Sequence, residues 1–263
     1  MKRAVSFSKF HGTGNDFIMV DDLLMAFPAS EDYVSSLCNR RTGIGADGLI
    51  LIRPAVGFDF QMVYFNSDGR EGSMCGNGGR CAAAFALLLG LAGKQMRFLG
   101  VDGPHEATVS DDGSVRLRMN DVTGIDKRGD HLFVDTGSPH VVQPIEQLSL
   151  VNVLERGAAI RNAAIHAPGG TNVNFVSVKG DELHVRTFER GVEDETLSCG
   201  TGVTAAALVA HASDWISSDM RTVEVFTPGG RLRVDFKPDG KGGYGDIWLE
   251  GPAVHVFDGI TAY

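Results

Sequence analysis

The sequence predicts an α+β protein built from two similar halves, and three observations lead to this prediction. Strand-like segments outnumber helical segments and do not alternate with them regularly, which disfavours a doubly wound parallel sheet. The motif Cys-Gly-x-Gly occurs twice, at Cys75 and at Cys199. Each copy is followed directly by a run of alanine and other apolar residues, which is typical of a buried helix.

Nine short segments predict β-strands, because they alternate apolar with polar side chains or are rich in β-branched and aromatic residues. Glycine accounts for 34 of the 263 residues and clusters in the turns between these segments. In chain order the segments are 17–20, 49–52, 58–65, 115–119, 173–178, 183–188, 223–226, 232–236 and 247–249.

Four segments predict helices. Residues 30–41 open on Ser30, a favourable N-cap, and carry Asp32 in the first turn. Residues 76–89 and 200–212 follow the two Cys-Gly-x-Gly motifs and are rich in alanine and leucine. Residues 144–156 begin with proline, which is tolerated in the first turn of a helix.

The two Cys-Gly-x-Gly motifs belong to an internal repeat. At an offset of 199 − 75 = 124 residues, the Cys, Gly, Gly, Ala and Ala positions of 75–83 and 199–207 coincide. Further pairs at or within one residue of this offset are Tyr64 with Phe188, Pro104 with Pro228, and 13–15 with 136–138. We therefore expect an N-terminal half, 1–119, that carries Cys75 and to which 251–263 return. We expect a C-terminal half, 120–250, that carries Cys199.

Composition and charge exclude several classes of function. The formal net charge is -9, and an acidic protein repels phosphate backbones, so no nucleic-acid partner is expected. The first residues turn polar before any sustained apolar stretch, and the longest apolar run, 82–92, is interrupted by glycine and too short to span a bilayer. We expect a cytoplasmic protein with no membrane partner.

Cofactor motifs are not found. The four cysteines form no CxxC pair, and the eight histidines form no HExxH, so neither a metal site nor a disulfide framework is expected. Residues 43–48 read Gly-Ile-Gly-Ala-Asp-Gly and match the dinucleotide pattern G-x-G-x-x-G. That pattern requires a strand before it and a helix after it, whereas here a polar segment precedes and a strand-like segment follows. We interpret these glycines as a turn.

Cys75 and Cys199 are the candidate catalytic residues. At a helix N-terminus, unpaired amides and the helix dipole lower a thiol pKa from about 8.5 toward neutrality, and the same amides can hold a carboxylate. Inverting a carbon stereocentre requires a base on one face and an acid on the other, which a thiolate and a thiol can supply. The alternative for a lone cysteine is a small core residue, and we expect this of Cys38 and Cys81.

Six further blocks surround the two motifs. In chain order they are His-Gly-Thr-Gly-Asn-Asp-Phe at 11–17, Phe-Asn-Ser-Asp-Gly at 65–69, Gly-Ser-Pro-His at 137–140, Asn-Val-Asn-Phe at 172–175, Glu-Arg-Gly at 189–191 and Asp-Gly at 258–259. Together with the two Cys-Gly-x-Gly motifs, these blocks resemble the diaminopimelate epimerase family over essentially the whole chain. Cys-Gly-x-Gly alone would be shared with enzymes similar to proline racemase.

The resemblance implies a fold of two pseudo-symmetric halves, each a curled, mostly antiparallel sheet around a central helix. It implies conversion of LL-diaminopimelate to meso-diaminopimelate in lysine and peptidoglycan precursor synthesis, with no cofactor, neither pyridoxal phosphate nor metal. A homodimer is the corresponding family-level expectation.

By motif position, the resemblance implies Cys75 and Cys199 as the catalytic pair. The residues that it implies in substrate binding are Asn15, Asn66, Gly76, Asn77, Asn172, Glu189, Arg190, Gly200 and Thr201. The glycines, Asn77 and Thr201 would bind the reacting carboxylate through their backbone amides. His140 and Glu189 would help to set the protonation of the thiols, and Ser138 would support the site.

Two positions depart from the family pattern and leave alternatives open. Ser138 stands where the family often has Asn, and Gly48 stands where some members have Gln. Both bear on which amino acid is bound. One alternative is another racemase or epimerase independent of pyridoxal phosphate, acting on proline, hydroxyproline or histidine. The other is a non-epimerising isomerase or binding protein on the same scaffold, which the presence of both cysteines disfavours.

Overall fold

The computed structural model describes residues 4–262 and confirms an α+β protein. Its residues form two compact units. The first unit comprises the residues up to Leu117 together with those from Gly251 onward, and the second comprises Arg118–Glu250.

The strands are short and all belong to mixed sheets. In chain order they are β1 (Ala4–Gly12), β2 (Asn15–Asp21), β3 (Gly48–Arg53), β4 (Phe60–Asn66), β5 (Gln95–Gly100), β6 (Gly103–Val109), β7 (Ser114–Arg118), β8 (Asp126–Arg128), β9 (His131–Asp135), β10 (Pro139–Pro144), β11 (Asn172–Lys179), β12 (Glu182–Glu189), β13 (Asp194–Thr196), β14 (Thr222–Thr227), β15 (Gly230–Pro238), β16 (Tyr244–Pro252) and β17 (Val254–Ala262).

The helices are α1 (Glu31–Cys38), α2 (Gly76–Leu88), α3 (Val153–Arg161) and α4 (Gly200–Ala212). Two single 3-10 turns lie at Leu148–Leu150 and Ala164–His166. Within residues 4–262, no helix combines the length and the apolar character that crossing a membrane requires.

In the first unit, the strands follow the order β17, β1, β2, β3, β4, β5, β6, β7. Neighbours run antiparallel except at two positions, where β2 and β3 are parallel and β4 and β5 are parallel. Parallel neighbours need a crossover, and the crossovers here contain α1 and α2 respectively.

The second unit repeats this plan in the order β8, β9, β10, β11, β12, β14, β15, β16. The parallel neighbours are β10 with β11, across α3, and β12 with β14, across α4. The short strand β13 adds a hairpin to β12. The sequence repeat is therefore also a repeat of topology, with β17 in the first unit at the place that β8 has in the second.

The helices α2 and α4 lie at the centres of their units. Most residues of each helix are buried, and small residues on every side let the strands approach closely. α2 packs against β1, β2, β3, β4 and β6, and α4 packs against the equivalent strands of its own unit. Each unit thus has a helix surrounded by sheet, and the N-terminus of that helix is where the Cys-Gly-x-Gly motif falls.

The third predicted helix exists, but its predicted bounds, 144–156, are wrong, because only 153–156 of that segment are α-helical. Pro144 ends β10, and α3 begins only after Asn152, whose side-chain oxygen accepts a hydrogen bond from the backbone N–H of Glu155. Asn152 and Glu155 have the spacing of a capping box and mark the true start of the helix. The predictions for α2 and α4 agree with the structure within one residue, and α1 has the expected Ser30 cap but ends at Cys38.

Candidate active site

Cys75 is the N-cap residue of α2. Its backbone is extended, and its sulfur accepts a hydrogen bond from the backbone N–H of Gly78 at 3.5 Å. The thiol also lies 3.6 Å from Oδ1 of Asn15, and this oxygen can accept a hydrogen bond from the S–H group. The sulfur therefore lies at the positive end of the α2 dipole, as the sequence predicted.

The side chain of Asn15 is held in one orientation beside Cys75. Its Nδ2 donates to a carboxylate oxygen of Asp47 at 2.8 Å, and a carboxylate can only accept. Its Oδ1 therefore faces Cys75 and accepts a hydrogen bond from Nδ2 of Asn77 at 3.2 Å. The structure thus brings together three of the predicted residues of the first unit and adds Asp47, which was not predicted.

Asp47 belongs to an ionic cluster at the turn 43–48. Arg40 bridges Asp47 at 2.6 Å and Asp16 at 2.7 Å, and Asp16 also binds Lys9 at 2.7 Å. Burial alone would raise the pKa of Asp16, but the hydrogen bonds from Arg40 and Lys9 outweigh burial and hold that pKa below its usual range. Residues 43–48 therefore form a turn that ion pairs hold in place, as predicted from the sequence.

Arg80 lies fully buried beneath the α2 N-terminus. Its Nη2 donates to Oδ1 of Asn77 at 3.0 Å and lies 3.3 Å from Oγ1 of Thr13. Burial lowers the pKa of Arg80. The hydrogen bond to Asn77 directs Nδ2 of that residue toward Asn15, so Arg80 also acts on the orientation of the amides around Cys75.

Cys199 is the N-cap residue of α4 and the counterpart of Cys75. Its sulfur lies 3.5 Å from Oγ1 of Thr201, and this hydroxyl lies 2.9 Å from Nε2 of His140. The backbone carbonyl of Thr201 accepts a hydrogen bond from Oγ1 of Thr136 at 2.9 Å, which fixes the first turn of the helix. His140 therefore reaches the thiol through the threonine hydroxyl.

A second set of predicted residues converges on Asn172 at the start of β11. Its Nδ2 donates to Oγ of Ser138 at 2.9 Å, and its Oδ1 accepts from the backbone N–H of Arg190 at 2.8 Å. Asn172 thereby joins the ends of β10 and β12. At position 138, serine in place of the common asparagine offers a hydroxyl that Asn172 binds.

Glu189 and Arg190 lie next to each other where β12 ends. A carboxylate oxygen of Glu189 accepts from the hydroxyl of Thr196 at 2.9 Å, and Nη1 of Arg190 lies 3.4 Å from the carbonyl oxygen of Gly169. Asn66 is exposed at the end of β4, and its place in a binding site stays a prediction.

Position 48 has no room for a side chain in this structure, which explains the glycine there. A Cβ atom at Gly48 would lie 2.5 Å from the carbonyl oxygen of Phe65 and 2.5 Å from Cε2 of Tyr64. Those distances are far below van der Waals contact. With the Tyr64 ring in its present place, glutamine could not replace Gly48 in this chain.

The residue that sequence reasoning missed in the second unit is Asn174. It is fully buried, and its Nδ2 lies 3.1 Å from Nδ1 of His140. The signal was present in the block Asn-Val-Asn-Phe, because residues two apart in a strand share a face and Asn174 therefore lies on the same face as Asn172. Arg80 and Asp47 carried no comparable signal.

Burial of His140 predicts a loss of stability in acid. Burial, and secondarily the charge of Arg190, lowers the pKa of His140 to about 3 from an ordinary 6.5. Between these values the unfolded chain binds a proton that the native chain does not, so the free energy of unfolding falls as pH is lowered. From pH 7 to pH 5, wild type should lose about 2 kcal/mol more than His140→Gln in urea unfolding. Equal losses would contradict a neutral buried histidine.

The four thiols should differ sharply in reactivity. Burial raises the pKa of Cys38 to about 11 and that of Cys81 to about 12, so both should stay protonated and inert in the native protein. Cys75, which is partly exposed, should react first with iodoacetamide at pH 8, followed by Cys199. Peptide mass spectrometry measures the order, and labelling of Cys38 or Cys81 before unfolding would contradict it.

Metal-ligating side chains do not cluster in the described part of the chain. Among residues 4–262, no group of three or more histidine, cysteine, aspartate or glutamate residues is placed to hold a metal ion.

Solved structures define the class to which this fold belongs. A hydroxyproline epimerase from Agrobacterium vitis, with bound trans-4-hydroxy-L-proline, is similar with a TM-score of 0.74 and 16% identity, over 100% of this chain and 94% of that chain. A Bacillus anthracis protein of the phenazine biosynthesis PhzF family is similar with a TM-score of 0.74 and 16% identity, over 98% and 99% of the two chains. The fold is the one shared by PhzF proteins, proline racemases and diaminopimelate epimerases, which confirms the predicted fold class.

Sequence comparison narrows the class to one family. The family model for diaminopimelate epimerase matches residues 7–125 and 132–256. A diaminopimelate epimerase of Flavobacterium psychrophilum is 44% identical over 252 residues, covering 95% of this chain and 97% of the relative. One of Chlorobaculum tepidum is 45% identical over 257 residues, covering 94% and 98%. This chain belongs to the diaminopimelate epimerase family, and the resemblance predicted from its motifs is confirmed.

Proposed function

We propose that this chain interconverts LL-diaminopimelate and meso-diaminopimelate by proton transfer between the substrate and two cysteines. The observation that carries the proposal is the equivalent placement of Cys75 and Cys199, each the N-cap of the central helix of its unit, in a chain of this family. Two cysteines that served only as core residues would not be expected at equivalent positions of the repeat.

In the proposed reaction, the thiolate form of one cysteine removes the proton from Cα. The electron pair left on carbon is delocalised into the adjacent carboxylate, whose growing charge the amides of residues 76–77 and 200–201 stabilise. The thiol of the other cysteine then delivers its proton to the opposite face of the carbon. One proton is taken and one is given, so the two cysteines exchange protonation states in each turnover.

The distal amino-acid group of the substrate is assigned to polar side chains. Arg190 suits a carboxylate, because a guanidinium can donate two parallel hydrogen bonds. Asn66, Asn172 and Glu189 supply amide and carboxylate groups that suit an ammonium and a carboxylate. We propose that these contacts select diaminopimelate over an amino acid with no polar group at its far end.

The test is incubation of the reduced enzyme with LL-diaminopimelate in D2O, following stereochemistry and deuterium at Cα. Formation of the meso isomer with solvent deuterium supports the proposal. If wild type neither epimerises nor exchanges this substrate, the substrate assignment fails. Proline, hydroxyproline and histidine assayed in parallel then show whether another amino acid is converted.

We further propose that the enzyme is a homodimer associating through β17. β17 pairs with β1 at the outer end of the strand order of the first unit, and its apolar side chains are exposed, with Ile260 at 75% and Val256 at 52%. An exposed apolar edge strand can pair with its own copy about a two-fold axis. Ile260→Lys should shift the mass measured by analytical ultracentrifugation to that of a monomer, whereas Leu24→Lys, at another exposed apolar position, should not. A wild-type monomer would overturn this. We also propose a cytoplasmic location, in keeping with the proposed role in lysine and cell-wall precursor synthesis.

A further inference from the structure

A chain of polar side chains extends from Cys199 into the interior of the second unit. Oγ1 of Thr201 lies 3.5 Å from the sulfur and 2.9 Å from Nε2 of His140, and Nδ1 of His140 lies 3.1 Å from Nδ2 of Asn174. His140 and Asn174 are both fully buried. Because every link is a hydrogen bond, the donor at one end fixes the direction of each link that follows.

The direction is set at Asn174. Its Nδ2 lies 3.1 Å from the carbonyl oxygen of Val141, and a carbonyl oxygen can only accept. Its Oδ1 accepts a hydrogen bond from Oγ1 of Thr187 at 2.9 Å. The amide therefore has one orientation, and its second N–H points at Nδ1 of His140, which must accept.

The tautomer of His140 follows from that contact. A neutral imidazole whose Nδ1 accepts carries its proton on Nε2, and this proton points at Oγ1 of Thr201. Asn172 lies 3.5 Å from Nε2 but offers it no acceptor, because its Nδ2 donates to Ser138 and to the carbonyl oxygen of Pro139. Thr201 thus receives a hydrogen bond from His140, and its own hydroxyl proton is free to point at Cys199.

The first unit shows that the fold does not require this arrangement. In the parallel pair β2 and β3, Phe17 occupies the place of His140 and Ile50 the place of Asn174. Ile50 also approaches Gly78 as Asn174 approaches Gly202. Two buried apolar residues fill these positions beneath Cys75. The hydrogen-bonded polar side chains beneath Cys199 are therefore specific to the second unit and are not required by the repeated fold.

We propose that Asn174 is a positioning residue that, through the tautomer of His140, makes the hydroxyl of Thr201 donate to the sulfur of Cys199 and stabilise its thiolate form. The inference rests on the proposed function, in which Cys199 must pass between its thiol and thiolate forms in each turnover. A neutral histidine acts here without adding charge to the site. Its proton stays on Nε2, and the hydrogen bond from Oγ1 of Thr201 to the sulfur becomes charge-assisted when Cys199 ionises.

The tautomer can be measured directly by NMR of protein labelled with 15N in the imidazole rings. The His140 signals are assigned by their loss in His140→Gln. We expect a neutral ring protonated on Nε2 from pH 5 to pH 8, and a ring protonated on Nδ1 in Asn174→Asp, where a carboxyl oxygen replaces the donating nitrogen. Thr187→Val disturbs the same cluster without changing the amide orientation and should keep the wild-type tautomer. A wild-type ring protonated on Nδ1, or charged at pH 7, overturns the proposal.

The effect on the thiolate is measured by the rate at which iodoacetamide alkylates Cys199 across pH, in a Cys75→Ser background. Asn174→Asp and Thr201→Val should each move the midpoint of this profile to higher pH and slow alkylation at pH 7 by about tenfold, the effect expected for one hydrogen bond to a charged group. Thr201→Ser restores the hydroxyl and should restore the midpoint. Unchanged midpoints in both variants overturn the proposal. Neither measurement uses diaminopimelate, so a failure of the substrate assignment is seen separately.

Discussion

Serine in place of either Cys75 or Cys199 should lower the rate of epimerisation by about 10²–10⁴-fold, the range expected when a positioned acid or base is lost. A hydroxyl is nearly isosteric with a thiol but does not ionise near neutral pH. Each variant keeps one thiol, and that thiol can still reach one face of Cα. Proton exchange should therefore survive for one stereoisomer only.

The measurement is α-deuterium incorporation in D2O, carried out separately on LL- and meso-diaminopimelate for both variants. We expect opposite selectivity, with each variant exchanging the isomer whose proton its remaining cysteine can reach. Cys38→Ser, at a buried thiol remote from both helix N-termini in sequence, is the matched control and should epimerise at the wild-type rate. Exchange of both isomers by one variant would show that a second base is present and would refute the two-thiol mechanism.

The helices that were predicted correctly from the sequence are those marked by the pattern of residues close together in the chain. Alanine-rich runs after two identical motifs located α2 and α4 within one residue, because a helix buried on all sides needs small residues on every face. Pro144 misled the same reasoning, since a proline fits the end of a strand as well as the first turn of a helix. The capping pair Asn152 and Glu155 was the better signal.

The catalytic candidates were predictable, whereas the residues that orient them were not. Cys75 and Cys199 are marked by their own motifs. Arg80, Asp47 and Asn174 act through hydrogen bonds to other side chains, with partners that are 3, 32 and 34 residues away in sequence. Only the fold brings the more distant pairs together, and a single sequence carries no trace of which partner an asparagine faces. The direction of a hydrogen bond is therefore the last property of such a site to become predictable.

The glycines at the fourth position of the two motifs, Gly78 and Gly202, lie in different surroundings, and alanine should therefore have very different effects at the two sites. A Cβ at Gly202 would lie 2.3 Å from Oδ1 of Asn174, which is buried and held by hydrogen bonds and cannot yield. A Cβ at Gly78 would lie 3.0 Å from Cδ1 of Ile50 and 3.2 Å from Cε of Met62, the flexible tips of two side chains.

Gly202→Ala should therefore displace either the first turn of α4 or Asn174, and a shift of about 1 Å there should lower kcat by roughly 100-fold. Gly78→Ala should lower kcat much less. The gain in helix propensity from alanine, about 1 kcal/mol, is the same at both sites and cancels in the comparison. Steady-state kinetics of both variants, with thermal unfolding to exclude loss of folded protein, measures the difference. Equal losses of kcat would mean that the packing under the two cysteines is equally tolerant, and the dependence of Cys199 on a rigid Asn174 would then be wrong.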